Sequence, residues 1–152
     1  MKDRNHLSNV GLSHEVGVIE NGIIDIPMLQ LLQPDGTPHK GVDLPNIEKE
    51  TVEQIHRTMH YIRVLDERMI AAQRQGRISF YLACTGEEAS TIGSAAALEP
   101  QDMIMSQYRE QGALAYRGYT TEQFMNQMFS NELEPNKGRQ MPIHYGAKEL
   151  TH

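Results

Sequence analysis

The chain has 152 residues, of which 39% are hydrophobic and 22% are charged, and its formal net charge is -6. A chain of this length and composition can fold into one domain with a buried core. The acidic balance argues against a protein that binds nucleic acid without sequence preference, because such a protein needs a basic face.

Cysteine usage and the N-terminus limit the cellular context. The single cysteine, Cys84, excludes an internal disulfide and a CxxC metal site. No apolar run approaches the roughly 20 residues of a membrane helix. The first residues, MKDRNH, lack the apolar stretch of a secretory signal, and Asp3, Glu15 and Glu20 are unlike an acid-poor transit peptide. We therefore expect a cytoplasmic protein that binds neither membrane nor nucleic acid.

Residues 1–45 are predicted to form an extended N-terminal arm. Four of the seven prolines lie between positions 27 and 45, and Pro-Asp-Gly at 34–36 is a turn signal. The apolar residues between positions 16 and 29 are spaced too irregularly for a helix. We expect them to lie on the domain or on a partner subunit; a disordered tail is the alternative.

Residues 46–75 carry the periodicity of one long helix. The apolar positions recur every three or four residues, which defines a single face. These positions are Val52, Ile55, Met59, Ile62, Leu65 and Met69. Gly76 is predicted to end the helix. Pairs four residues apart, Glu53 with Arg57 and Arg63 with Glu67, are expected on its solvated faces.

His56 and His60 have the spacing of a helical metal-binding pair. The corresponding metalloprotease motif is His-Glu-x-x-His, but this chain reads His-Arg-Thr-Met-His at 56–60. The glutamate is missing and a cation follows the first histidine. We therefore interpret the two residues as ordinary surface histidines.

The segment 77–118 predicts α/β structure. We expect a short strand or extended loop at 78–81, a helix that begins at 85–88 and runs through 89–98, and a buried strand at 103–105. Gln107, Tyr108 and Arg109 follow that strand, and a short helix at 111–116 is closed by Gly118. In open α/β sheets, ligands bind beyond the carboxyl ends of the strands.

Arg109 is the central residue of this predicted edge. A guanidinium suits a bidentate anion such as phosphate or carboxylate, and Gln107 and Tyr108 add an amide and a phenol. The alternative is a polar loop in which Arg109 pairs with Glu110 or with another helix. Neither interpretation is favoured by these residues alone.

The remaining segment predicts a capped helix and a basic loop. Thr120 to Gln123 fits a capping box, and the helix that follows has an apolar face. After a polar loop at 131–138, the run 137–146 combines glycines, two cations and His144. That histidine is a candidate acid, base or hydrogen-bond donor, with a structural or solvated role as the alternative.

Several ordered blocks resemble one family. They are QRQGRISFY at 73–81, GEEA at 86–89, GSAAAL at 93–98, QYREQG at 107–112 and KGRQMPIHYG at 137–146. The chain resembles the alpha subunit of the branched-chain 2-oxo acid dehydrogenase (3-methyl-2-oxobutanoate dehydrogenase) from about position 44 to 152. The blocks RISF and GRQMP favour this type over the related pyruvate and acetoin enzymes.

The resemblance implies a fold, a cofactor and site residues. It implies the N-terminal part of an α/β thiamine diphosphate-binding fold, with a parallel sheet flanked by helices, over residues 46–152. Gln107, Tyr108 and Arg109 would contact thiamine diphosphate. Phe80, Tyr108, Met141 and His144 would line the substrate pocket, with His144 as the catalytic residue. Phe80 and Met141 suit a branched aliphatic group.

The resemblance also implies partners and a missing part. The family works as a heterotetramer of two alpha and two beta subunits and transfers an acyl group to the lipoyl acyltransferase of its complex. Its magnesium ligands belong to a Gly-Asp-Gly…Asn motif beyond the length of this chain, so no metal ligand is expected here. We therefore expect a fragment or split gene product that is inactive alone. The alternatives are a non-catalytic fragment that binds the beta subunit, or an alpha subunit of a pyruvate or acetoin dehydrogenase.

Overall fold

The computed structural model describes residues 12–13 and 27–151. The chain divides into two compact units, Met1–Asn46 and Ile47–His152. Most of the apolar residues assigned to the arm, and also His152, lie outside the described residues. The extended arm at 1–45 and the incomplete domain at 46–152 therefore remain predictions.

The first unit contains two short strands and a turn. Strand β1 (Leu12–Ser13) pairs in parallel with β2 (Met28–Leu29), with Leu12 opposite Met28. The Asp35 carboxylate accepts the Thr37 N–H at 3.0 Å and the Thr37 hydroxyl at 2.7 Å. Gly36 has a φ of 85°, which glycine adopts readily. The turn predicted at Pro-Asp-Gly is therefore confirmed.

Helix α1 (Lys49–Arg74) is the longest element of the second unit. Ile62, Leu65 and Met69 from the predicted apolar face are buried, whereas Val52 near the N-terminus is exposed. Gly76 follows the helix with a φ of 71°, and the neighbouring Arg77 N–H bonds back to the Ala72 carbonyl at 3.0 Å. The predicted long helix and its glycine stop are confirmed.

Three shorter helices pack with α1 around one core. They are α2 (Glu88–Ala96), α3 (Gln111–Tyr116) and α4 (Thr121–Met128), and a 3-10 turn at Lys148–Leu150 follows. Thr120 and Gln123 form both bonds of the predicted capping box. The largest fully buried apolar side chains come from α1, α2, α3 and α4: Ile62, Ile92, Leu114 and Phe124.

The predicted parallel sheet is not confirmed. Residues 47–151 contain helices, turns and irregular segments without a strand. The segment 78–81 forms the loop alternative, and 103–105 is not the expected buried strand, since Met103 is 68% exposed and Met105 is 93% exposed. Ile104 donates its N–H to the Thr151 carbonyl at 2.8 Å, a contact with one residue only. A strand needs a neighbouring strand for its backbone bonds, and the described part of this unit supplies none.

None of the helices within the described ranges is both long enough and apolar enough to cross a bilayer. Helix α1 has the length, but charged residues recur along it.

Candidate functional site

The predicted cofactor edge, residues 107–109, leads directly into α3. The Gln107 N–H donates to the Glu110 carboxylate, which folds the segment into a tight turn. Arg109 has a φ of 72°, an uncommon conformation for a residue with a side chain. Tyr108 is nearly half exposed. The turn therefore presents its polar side chains beside the start of the helix.

A shallow cleft lies between this turn and α2. Its lining combines hydroxyl, amide, phenol, guanidinium and carboxylate groups: Glu87, Ser90, Thr91, Ser94, Gln107, Tyr108, Arg109 and Glu110. The structure thus brings Gln107, Tyr108 and Arg109 together at one surface. Phe80, Met141 and His144 are not among the residues that line this cleft.

Arg109 forms an ion pair within the cleft. Its Nη1 lies 3.6 Å from Oε1 of Glu87, the residue that precedes α2, and both side chains are about half exposed. The charge partner of Arg109 is therefore a residue at the start of another helix, not the adjacent Glu110. An exposed pair of this kind contributes about 0–1 kcal/mol, so an anion of higher charge can displace the carboxylate. The donors of the cleft fit a diphosphate, whereas the carboxylates of Glu87 and Glu110 oppose it.

A buried polar cluster lies beneath this edge. The Asp66 carboxylate on α1 accepts the Tyr81 hydroxyl at 2.6 Å and the Cys84 N–H at 2.8 Å. The side-chain amide of Gln111 donates to Asp66 at 3.1 Å and to the Leu82 carbonyl at 3.1 Å. All these side chains except that of Leu82 are buried. The cluster ties α1, the loop at 81–84 and the first residue of α3 together, and so fixes the helix that follows Arg109.

The same cluster makes Cys84 and Tyr81 poor acids. Burial and the adjacent Asp66 carboxylate raise the pKa of the Cys84 thiol and the pKa of the Tyr81 phenol well above their ordinary values. The thiolate is the reactive form of cysteine, and it is disfavoured here. These two residues therefore serve structure rather than nucleophilic chemistry.

The second predicted segment, residues 141–144, is a turn that follows the polar loop. The His144 N–H donates to the Met141 carbonyl at 3.1 Å, and Nδ1 of His144 lies 3.0 Å from the Pro142 carbonyl. Since a carbonyl only accepts, Nδ1 carries the proton of that bond. Both His144 and Met141 are exposed.

Glu134 organises the loop that precedes this turn. Its carboxylate accepts the Asn136 N–H at 2.9 Å and the Gly138 N–H at 2.8 Å. Burial alone would raise the pKa of Glu134, but these backbone bonds outweigh it and hold the pKa below its ordinary value of 4.5.

Sequence reasoning missed the buried polar residues that support both segments. Asp66 follows Leu65 on the apolar face of α1, and Gln127 precedes Met128 on the apolar face of α4. A polar residue inside an apolar stripe is the signal that could have identified them, because a buried polar group must find a partner.

His56 and His60 lie side by side on α1, with their Nε2 atoms 3.2 Å apart. No group of three or more histidine, cysteine, aspartate or glutamate side chains that could hold a metal occurs in the portion of the chain that the structure describes. Their interpretation as ordinary surface histidines remains a prediction.

Comparison with known families identifies the second unit. The model of the dehydrogenase E1 component family matches residues 56–152, which is more than half of the chain. The chain belongs to the dehydrogenase E1 component family. Membership in this E1 family implies a thiamine diphosphate-dependent fold, although residues 47–151 contain helices and no strand.

Curated relatives point to the same family. The chain is 52% identical to the 2-oxoisovalerate dehydrogenase subunit alpha, mitochondrial, of Caenorhabditis elegans over 105 residues, covering 69% of this chain and 24% of the relative. It is 44% identical to subunit alpha 1 of Arabidopsis thaliana over 144 residues, covering 94% and 30%. It is 43% identical to the Mus musculus subunit alpha over 129 residues, covering 85% and 29%. The predicted family is confirmed, and this E1 chain spans 24% to 30% of the length of these relatives.

The predicted cytoplasmic location is wrong on this comparison. The nematode, plant and mouse relatives are all named mitochondrial. The prediction used the first residues of the chain as evidence about targeting. Because this sequence spans only part of its relatives, its first residues give no information about targeting.

Proposed function

We propose that this E1 chain is part of an alpha subunit of a branched-chain 2-oxo acid dehydrogenase, which decarboxylates 3-methyl-2-oxobutanoate and related branched 2-oxo acids and passes the acyl group to a lipoyl carrier. The observation that carries the proposal is the cleft beside α2, where Arg109 lies with Gln107 and Tyr108. The names of the relatives support the branched-chain substrate class.

In this proposal the 107–109 turn holds the diphosphate end of thiamine diphosphate. Arg109 would leave Glu87 and form charge-assisted bonds to the diphosphate, while Gln107 and Tyr108 add neutral donors. Thiamine diphosphate, when bound, supplies the electron sink for decarboxylation. The magnesium ligands are expected outside this chain.

Phe80, Tyr108, Met141 and His144 form the proposed substrate pocket. Phe80 and Met141 would contact the branched aliphatic group, and both retain exposed surface in this chain. Tyr108 can donate to the 2-oxo acid carboxylate. Because Nδ1 of His144 faces the Pro142 carbonyl, His144 can donate to the substrate only through Nε2, which requires the doubly protonated ring. The neutral ring accepts a proton at the same atom.

The proposed partners are a beta subunit, with two copies of each subunit in the assembly, and the lipoyl acyltransferase of the complex. Met103 and Met105 supply exposed apolar surface that would suit contact with other parts of such an assembly. The 152-residue chain alone is expected not to decarboxylate the oxo acid. Turnover by the purified chain would contradict this.

Thiamine diphosphate titration tests the proposed cofactor edge. We expect binding in the presence of the beta subunit, and about tenfold or greater loss of affinity in Arg109→Ala, because a charge-assisted contact to the diphosphate is removed. Arg57→Ala is the matched control, since Arg57 pairs with Glu53 on the solvated face of α1. Equal affinity of the two variants would refute the role of Arg109.

The exposed methionines also favour a second candidate, a non-catalytic fragment that only binds a beta-type subunit. Binding of the beta subunit without any thiamine diphosphate affinity would favour that function. Comparing branched with unbranched 2-oxo acids in a reconstituted assembly separates the proposed enzyme from a pyruvate or acetoin dehydrogenase.

A further inference from the structure

The turn at 141–144 is built around one strained and buried residue. Ile143 has a φ of 63° and is 3% exposed. A β-branched residue rarely adopts this left-handed conformation, because its side chain crowds the backbone there. Such a conformation persists only where surrounding contacts hold it. Other residues must therefore stabilise the backbone of this turn.

One side chain, that of Gln127, supplies three of these contacts. Nε2 of Gln127 donates to the Met141 carbonyl at 2.7 Å and to the His144 carbonyl at 3.3 Å. Oε1 of Gln127 accepts the Ile143 N–H at 3.2 Å. One buried amide thus satisfies three backbone groups of one turn, including a buried N–H. Leaving such groups without partners is costly.

Gln127 is itself held on a rigid element. Helix α4 begins with the complete capping box of Thr120 and Gln123, and Phe124 and Met128 fix it in the core. The position of the Gln127 amide is therefore set by α4, and the turn adapts to it.

We propose that Gln127 is a positioning residue, which sets the turn that carries Met141 and His144 toward the 2-oxo acid. This inference rests on the proposed function, in which those two side chains contact substrate. Gln127 itself is buried beneath the turn and is not expected to touch substrate or cofactor.

Hydrogen exchange in the 152-residue chain tests whether Gln127 holds the turn. Gln127→Met removes all three bonds, and Gln127→Glu retains only the acceptor for the Ile143 N–H. We expect the Ile143 amide to exchange about tenfold faster or more in Gln127→Met, with a smaller increase in Gln127→Glu. Asn126→Asp is the control for Gln127→Glu, because Asn126 is a buried amide on α4 that bonds to Asn131 and not to the turn.

Kinetics in an assembly that turns over 3-methyl-2-oxobutanoate, formed with a beta subunit and a complementing segment, test the functional part. We expect Gln127→Glu to raise KM for the oxo acid severalfold while thiamine diphosphate affinity is unchanged. Unchanged Ile143 exchange, or an equal loss of substrate and cofactor binding, would overturn the inference. An assembly of wild-type chain without turnover would instead defeat the proposed function, and the exchange of Ile143 would still decide whether Gln127 holds the turn.

Discussion

The two segments that carry the predicted site residues are held in opposite ways. Residues 141–144 are fixed from beneath by the buried Gln127 amide. Residues 107–109 are held by the Gln107–Glu110 bond and, at the adjoining helix, through Gln111 and Asp66. The Arg109 side chain itself is held by an ion pair with Glu87 that water can reach. The backbone is therefore preset at both segments, but the charged group at the cofactor edge can still change its partner.

The largest expected effect comes from breaking the buried cluster beneath the 107–109 edge. Asp66→Ala leaves the Tyr81 hydroxyl, the Cys84 N–H and the Gln111 amide without their shared acceptor. Each unsatisfied buried group costs about 1–3 kcal/mol, so we expect the free energy of unfolding to fall by about 3 kcal/mol or more. Chemical denaturation measures this loss.

Glu67→Ala is the matched control, because Glu67 adjoins Asp66 on α1 but its side chain is exposed and pairs with Arg63 at 3.8 Å. We expect a change within about 0.5 kcal/mol there. If both variants unfold at the same denaturant concentration, the cluster does not anchor α3.

The strain at Ile143 can be separated from its burial by two substitutions. Ile143→Ala and Ile143→Gly both remove a buried side chain, which costs about 2–5 kcal/mol. At a φ of 63°, however, glycine avoids the steric penalty of the left-handed conformation, about 1 kcal/mol. We therefore expect Ile143→Gly to be the more stable variant by about 1 kcal/mol in denaturant unfolding.

The same pair of substitutions at Ile92 should give the opposite order. Ile92 is buried on α2, where alanine is favoured over glycine by about 1 kcal/mol. Alanine more stable than glycine at both positions would mean that the 141–144 turn relaxes in solution.

Local signals explain which parts of the fold could be predicted. The capping box at Thr120 and the glycine that ends α1 act over one helical turn, so neighbouring residues suffice to determine them. The strand predicted at 103–105 depended on partners elsewhere in the chain. Three apolar residues do not specify those partners, and the segment is largely exposed.

The candidate site divides in the same way. Gln107, Tyr108 and Arg109 are adjacent in sequence, so their common location required no knowledge of tertiary packing. Asp66 bonds to Gln111, 45 positions along the chain, and Gln127 bonds across 14 to 17 positions. The hydrogen-bond partners of Asp66 and Gln127 could not be predicted from periodicity. An apolar helical face shows that a residue is buried, but it does not show which residues it contacts.

Acid should weaken the loop that leads into the 141–144 turn. Unfolded glutamate titrates near 4.5, and the pKa of Glu134 lies below that value in the folded chain. Its bonds to Asn136 and Gly138 therefore stabilise the fold above pH 4.5, and this contribution is lost as pH falls through the lower folded pKa. We expect Glu134→Gln to lose stability at neutral pH and to show a shallower decline on acidification than the parent chain.

Exposed Glu132 is the control for this measurement, since Glu132→Gln changes a nearby carboxylate of the same loop that water can reach. Thermal unfolding of the parent and both variants from about pH 7 to pH 3 compares the slopes. If the unfolding temperature of Glu134→Gln falls with pH as steeply as that of the parent chain, other carboxylates cause the acid sensitivity.

The smallest expected effect concerns the exposed Arg109–Glu87 ion pair, whose charged groups can change partner. Glu87→Gln removes a carboxylate that competes with an incoming anion, so thiamine diphosphate should bind the assembly more tightly. Because the pair is half exposed, the gain should be about twofold to fivefold and should shrink in high salt. Glu122→Gln changes an exposed acid on α4 outside the cleft and should leave affinity unchanged. Weaker binding in Glu87→Gln would mean that Glu87 orients Arg109 for the diphosphate rather than competing with it.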